Sequence, residues 1–186
     1  MTIRRATEQD AQVLAELVQL AIRDIGYQLT GERTEAEVIA QLERFCMEEG
    51  NRFSKELYLV KEDGHHIAGM ILCYHGRDAE RLYHPIIEHL VRVQGVREVR
   101  IDQEADEDEY YIDALAVLPG YQGRGYGRQL LRAAEQHAAE QGHHKIALNV
   151  DQDNEKALKL YQHIGYQAEK AITINGRPYW HMSKVL

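Results

Sequence analysis

Apolar residues along this chain change their repeat several times, and each change marks an element. Ile3 to Ala6 reads as a short first strand, after which Thr7 offers a helix N-cap with Asp10 three residues on, a variant of the capping box. Val13, Leu14, Leu17, Val18 and Ala21 follow at the spacing of a helix with one buried face. A second helix is predicted from near Thr34 to Glu49, with Val38, Ile39, Leu42, Phe45 and Cys46 on its buried side and Gly50 to stop it. Leu57 to Lys61 and Ile67 to Tyr74 are β-prone runs separated by Glu62-Asp63-Gly64, whose Asp-Gly pair signals a hairpin.

Arg77 to Arg100 breaks this rhythm. Ile86, Ile87, Leu90, Val91 and Val93 predict a helix beginning near Pro85, inside a connection long enough to be functional or mobile. Tyr110 to Leu118 is then a strand. Gln129 to Gln141 is an amphipathic helix, buried through Leu130, Leu131, Ala134 and Ala138 and stopped by Gly142. Lys145 to Val150 reads as a strand, Glu155 to Ile164 as a helix, and Tyr166 to Ile174 as a strand that turns at Asn175-Gly176 into Tyr179 to Val185. No internal repeat or low-complexity tract interrupts this α/β (α+β) alternation.

Composition narrows the class. With 186 residues, 44% hydrophobic, 28% charged and only 3 prolines, the chain reads as a single domain over 1–186, able to hide roughly 70% of its unfolded surface. Met1 to Glu8 has basic residues but no apolar core behind them, so no secretory signal is expected, and no stretch is long enough to span a bilayer. Cys46 and Cys73 lack CxxC spacing and fit a reducing, cytoplasmic setting, with burial as small hydrophobes the plainer account. A net charge of -8 argues against nonspecific binding to nucleic acid or an anionic membrane and favours a cationic substrate. Much of that charge lies in one run holding Asp102, Glu104, Asp106, Glu107, Asp108 and Glu109. Two readings stay open for it: a solvated loop, or a segment whose end attracts an amine. The 10 histidines form no HExxH or Cys/His cluster, so no metal centre is expected; Tyr83, His84, His89 and His181 could line an acceptor pocket, with surface or core packing as the alternative.

Chemistry concentrates after the strand ending Leu115-Ala116-Val117. Gln122-Gly123-Arg124-Gly125-Tyr126-Gly127-Arg128 is a glycine-rich turn leading into a helix, and the free amides of a helix start suit a phosphate or pyrophosphate. Alternating glycines are not the GxGxxG of a dinucleotide fold, and Gly127 is followed by Arg128 and Gln129 rather than the Lys and Ser or Thr of a Walker loop. Downstream, Asn154, Ala157, Tyr161, Gly165 and Tyr166 fit an N-x-x-A-x-x-x-Y-x-x-x-G-[FY] pattern. Together the two motifs resemble the GNAT family of N-acetyltransferases over residues 112 to 166, while the first half resembles it only in element order.

That resemblance implies a GNAT fold: a central mixed, mostly antiparallel sheet flanked by helices, with the cofactor core over about 109–186 and the segment at about 77–100 as a helical insertion. It implies acetyl-CoA as cofactor, its pyrophosphate on the Gln122 to Arg128 amides, with Arg124 or Arg128 adding charge-assisted contacts. Its pantetheine arm would lie along a splayed strand at Leu115, Ala116 and Val117, the Val117 amide facing the oxyanion. Asn154 would touch the arm while also serving as an N-cap. Tyr161 would be the general acid, since a phenol with pKa about 10 can protonate a thiolate whose conjugate acid lies near 8.5. A general base is needed because an alkyl amine with pKa near 10.4 arrives protonated. Alternation puts Glu109, Tyr111, Asp113, Leu115 and Val117 on one face if no bulge intervenes, so Asp113 or Glu109 is the candidate, directly or through water. Family members that acetylate protein N-termini often carry L-E-V on the next strand, and here Leu148-Asn149-Val150 stands instead. The acceptor expected is therefore a small, cationic or amino-acid-like primary amine; a protein or peptide acceptor and a noncatalytic CoA-binding sensor are the alternatives. Neither nucleic acid nor membrane is an expected partner, and a homodimer is compatible with the resemblance.

Overall fold

The computed structural model describes residues 2–186. Its strands are β1 (Ile3–Arg5), β2 (Tyr58–Asp63), β3 (His66–His75), β4 (Tyr110–Val117), β5 (Lys145–Asp151), β6 (Gln167–Ile174) and β7 (Arg177–Val185). They form one seven-stranded sheet in the order β1-β2-β3-β4-β5-β7-β6. Every neighbouring pair is antiparallel except β4 and β5. Helices α1 (Ala11–Ile22), α2 (Asp24–Thr30), α3 (Glu35–Met47) and α4 (Ala79–Gln94) supply one face of the sheet, and α5 (Tyr126–Glu140) with α6 (Glu155–His163) the other. This is the mixed, mostly antiparallel sheet that the motifs implied. Among the described residues no helix is long and apolar enough to cross a membrane.

Most predicted elements fall where the apolar repeat puts them, and their stops are chemical. Thr34 caps α3 by accepting from the Glu37 amide at 3.3 Å while Glu37 reaches back to the Thr34 amide at 3.1 Å, the reciprocal capping box. Asn175 and Gly176 take φ of 53° and 71° at the β6–β7 turn, as a tight hairpin demands.

Two helices differ from the sequence reading. The third-layer helix α4 starts at Ala79, not near Pro85, and carries Pro85 inside it. Leu82, Tyr83, Ile86, His89 and Leu90 make one continuous buried stripe across the proline, so packing outweighs the single backbone hydrogen bond that Pro85 cannot donate. Helix α2 was not predicted at all, because seven residues around Gly26 have little helical propensity. It exists because a close approach sustains it: a Cβ at Gly26 would stand 2.1 Å from Gln19 Oε1 and 3.2 Å from Val38 Cγ1.

The feature that positions the site is the short β4–β5 ladder. Parallel pairing covers only Tyr110, Tyr111 and Ile112 against Ile146, Ala147 and Leu148. Beyond it β4 runs on to Val117 paired with β3 alone, and β5 to Asp151 paired with β7 alone. A register shift coincides with this parting: Leu72 pairs with Ala114 but Cys73 with Ile112, leaving Asp113 as the extra residue of a bulge. Bulges bend a strand and increase its twist. They also switch its faces. Tyr110 and Ile112 join the α5 cluster, yet so do Leu115 and Val117, while Ala114 and Ala116 pack with α1 and α3. The expected single face from Glu109 to Val117 is therefore corrected: Leu115 and Val117 lie opposite Tyr111 and Asp113.

Candidate active site

At the α5 side of the parting, the glycine-rich turn is built from backbone. Gly123 and Gly125 hold left-handed φ of 78° and 79°, conformations that cost an L side chain about 1–2 kcal/mol. Gly125 caps α5, and the first intrahelical bond runs from the Gln129 amide to the Gly125 carbonyl at 3.1 Å. The amides of Tyr126, Gly127 and Arg128 are thus left without helical acceptors. A Cβ at Gly123, Gly125 or Gly127 would meet no atom within 4 Å, so the cradle faces open space.

Side chains around this turn divide into anchors and free groups. Gln122 Nε2 donates to the Val117 carbonyl at 3.1 Å, tying the turn to the end of β4. Arg124 is an anchor too: it bonds Asp63 at 3.0 Å and the Gly120 carbonyl at 3.2 Å, its guanidinium over the Tyr121 ring. Tyr126 is buried and donates to the same Asp63 oxygen at 2.8 Å. The Arg128 side chain is exposed and, among the described residues, makes no hydrogen bond or ion pair. Asn154 Oδ1 accepts from the Ala157 amide at 3.1 Å, the N-cap role at the start of α6. Tyr161 packs on the α5 side against Tyr166 with ring centroids 6.0 Å apart, and burial pushes its phenol up to about 12.

The opposite face holds a network of side chains that the sequence did not announce. Arg52, from the loop before β2, is 1% exposed and bonds Asp113 through Nε at 3.0 Å and Nη2 at 2.8 Å, and Glu104 through Nη1 at 3.1 Å. Burial alone would lower its pKa, but Asp113 and Glu104 outweigh that and hold it well above the ordinary guanidinium value. Tyr74 donates to Asp113 at 2.7 Å and meets the Tyr83 hydroxyl at 3.2 Å. Tyr111 donates to Glu104 Oε2 at 3.0 Å. Asn149 donates to the Tyr111 hydroxyl at 2.9 Å and to the Glu104 carbonyl at 2.8 Å, while its oxygen faces His181 Nδ1 at 2.7 Å. His181 Nε2 meets Glu109 Oε2 at 3.1 Å.

Each candidate can now be located. The Asp113 side chain is 1% exposed, with both oxygens taken by Arg52 and one also by Tyr74. Glu109 is fully buried, held by His181 and by the Asp106 amide at 2.9 Å. Tyr83 and His181 belong to the network; His89 is buried against Phe45 and the Thr30 carbonyl, and His84 is exposed beside Glu88. The acidic run is not a uniformly solvated loop, since Glu104, Ala105 and Glu109 are buried and Asp106 pairs with Lys170 at 2.7 Å. Arg52 carried no sequence signal: it lies in no motif. Glu104 was visible only as one acid among six.

Between α2, α4, the 99–104 segment and the β6–β7 turn lies a cleft of about 360 Å³. Ile25, Leu29, Leu90 and Ile174 line it with apolar surface, while Asp102 and Glu104 reach it from the acidic run and Arg100 from the segment before it. Gln28 bonds Asn175 across its rim, and the Asn175 amide donates to Asp102 at 2.7 Å. Its contact with the parting strands is Glu104, whose carbonyl is held by Asn149, the first β5 residue beyond the ladder.

A sheet that parts in this way, with a glycine-rich helix start on one side and a polar cleft on the other, defines an acyltransferase class of fold. Residues 21–166 match the model of the Acetyltransferase (GNAT) family, and the chain belongs to it. Among solved structures, an acetyltransferase is 30% identical with a TM-score of 0.82, covering 100% of this chain and 99% of that one. An N-acetyltransferase from Staphylococcus aureus Mu50 is 25% identical with a TM-score of 0.77, covering 98% and 100%. Among curated proteins, the spermine/spermidine N(1)-acetyltransferase of Bacillus subtilis (strain 168) is 33% identical over 76 residues, 40% of this chain and 50% of that protein. The chain thus spans about half the length of the curated relatives it matches.

Proposed function

We propose that the protein is an acetyl-CoA-dependent N-acetyltransferase whose acceptor is a small, cationic primary amine. The observation that carries this reading is the β4–β5 parting, flanked by an open amide cradle on one side and, on the other, a cleft that Glu104 borders where it meets the strands. In this reading the amides at Gln122 to Arg128 hold the pyrophosphate with help from Arg128, Leu115 to Val117 lend backbone groups to the pantetheine arm, and Asn154 contacts it. Bound acetyl-CoA supplies an activated thioester carbonyl. The Val117 amide stabilises developing negative charge, and Tyr161 keeps a proton until a thiolate needs one. An alkyl ammonium must lose its proton to a carboxylate at the cleft, from the network that holds Asp113, Glu109 and Glu104.

A small acceptor is favoured because the cleft is small, rimmed by the Gln28–Asn175 contact, and acidic where it meets the strands. The name of the Bacillus subtilis relative, matched over part of its length, points the same way. Incubating the protein with acetyl-CoA and a panel of di- and polyamines should release free thiol. Release with peptides but with no small amine overturns the acceptor class; CoA binding with no release from any acceptor leaves a sensor module.

A further inference from the structure

We propose that Glu104 is the catalytic base, binding the acceptor's ammonium in the cleft and removing its proton, with Asp113 and Glu109 positioning it. This rests on the amine-acetyltransferase reading above. Two observations of position single Glu104 out. It borders the 360 Å³ cleft, and its backbone carbonyl is held at 2.8 Å by Asn149, where β4 and β5 have just parted. Glu104 therefore stands between acceptor space and the gap proposed for the thioester.

Its partners leave it able to act. Arg52 takes one oxygen at 3.1 Å and the Tyr111 hydroxyl the other at 3.0 Å, so each oxygen keeps an acceptor lone pair. Asp113, by contrast, accepts three hydrogen bonds on two oxygens. Glu109 is fully buried and does not border the cleft. Charge points the same way: two carboxyl groups, Asp113 and Glu104, share the single guanidinium of Arg52. A cationic amine at the cleft would give Glu104 a second cationic partner. Burial also holds the Glu104 carboxyl above the ordinary range, which makes it a stronger proton acceptor than a solvated carboxylate.

The supports follow from the same contacts. Asp113 fixes Arg52 bidentately, and Arg52 aims Glu104. Glu109 fixes His181, His181 orients Asn149, and Asn149 holds the Glu104 backbone. In the reaction one ammonium proton passes to Glu104, the freed nitrogen lone pair bonds the acyl carbon, and the carbon–sulfur bond breaks. Tyr161 protonates the departing sulfur and is refilled by the second amine proton; the Glu104 proton leaves to solvent.

The test uses the full chain with Glu104→Gln, which keeps an acceptor for Arg52 but cannot take the proton. Alkyl amines should lose about 10²–10³-fold in kcat, while an aromatic amine, already neutral at neutral pH, changes by less than about threefold. CoA affinity by calorimetry should be unchanged. Equal losses on both amine types, or full activity on alkyl amines, overturn the assignment. Should the variant not fold, the wild-type kcat/KM against pH decides. An acidic limb above the usual Glu value of about 4.3, seen with alkyl and absent with aromatic amines, supports Glu104; the same limb with both overturns it. The charged and titratable groups that act on Glu104 are Arg52, Asp113, Tyr74, Tyr83, Tyr111 and Tyr179, of which Arg52 and the tyrosines are held above their ordinary values and do not titrate with that limb. Wild type that binds CoA yet acetylates no small amine overturns the functional reading itself, whereas normal wild-type turnover with an indifferent Glu104→Gln overturns this assignment alone.

Discussion

The two sides of the parted strands are made of different materials. On the α5 side the site is backbone: amides at a helix start, two left-handed glycines, and side chains that mostly anchor the turn. On the α1–α4 side it is a mesh of side chains, Arg52, Tyr74, Glu104, Tyr111, Asp113, Asn149 and His181, drawn from loops and four strands. A backbone site tolerates side-chain change but not conformational change. A side-chain mesh is the reverse: each member leaves a buried charge or dipole stranded when its partner goes.

The sharpest way to break the contrast is Arg52→Ala, which leaves Asp113 and Glu104 buried without their cation. A loss of about 3–5 kcal/mol is expected in denaturant melts. The sign with pH follows from Glu104, whose folded carboxyl lies above its unfolded value. Its contribution is fully present below about 4.3 and is lost as pH rises through the folded value. Without Arg52 that loss deepens, so the variant's deficit should be larger at neutral pH than near about pH 5; an equal deficit at both would show that the carboxylates are not stranded.

Gly76→Ala attacks the mesh through its frame. A Cβ there would stand 1.8 Å from the Asp106 carbonyl oxygen, and the Gly76 amide donates to the Glu109 carbonyl at 2.8 Å. Overpacking against backbone should cost about 1–3 kcal/mol and displace the acidic segment, read as faster amide exchange over 104–109 with unchanged CoA affinity. On the other side, Gly125→Ala forces a side chain into left-handed backbone at about 1–2 kcal/mol; calorimetry should show weaker CoA binding even though the added methyl meets nothing. Smallest in stability is Arg128→Ala, within about 0.5 kcal/mol because the side chain is exposed. CoA binding should nonetheless weaken, and lose part of its salt dependence. If Arg128→Ala binds CoA normally, the backbone alone holds the pyrophosphate.

Legibility followed the same division. The glycine turn, Asn154 and Tyr161 were readable because the contacts that define them are local: a helix start, an N-cap three residues from its amide, a tyrosine one face along the same helix. The hairpins at Gly64 and Asn175-Gly176 were readable for the same reason. Helix α2 was not, since its support is the close approach of Gly26 to α1 and α3. Nor was the face switch in β4, because a bulge is a property of the pairing with β3, and no residue near Asp113 announces it. Asn149 looked like the loss of a carboxylate; in the folded chain it holds one in place, the carbonyl of Glu104 resting on its amide.

By itself the sequence determined the glycine-rich turn, the family and the order of elements apart from α2, all written in spacings of a few residues that local backbone physics enforces. Only the tertiary structure decided which acids are buried, which are paired and which one borders the cleft. Desolvation and ion pairing depend on neighbours far apart along the chain: Arg52 meets Asp113 and Glu104, and His181 meets Glu109, only once the sheet has closed around them.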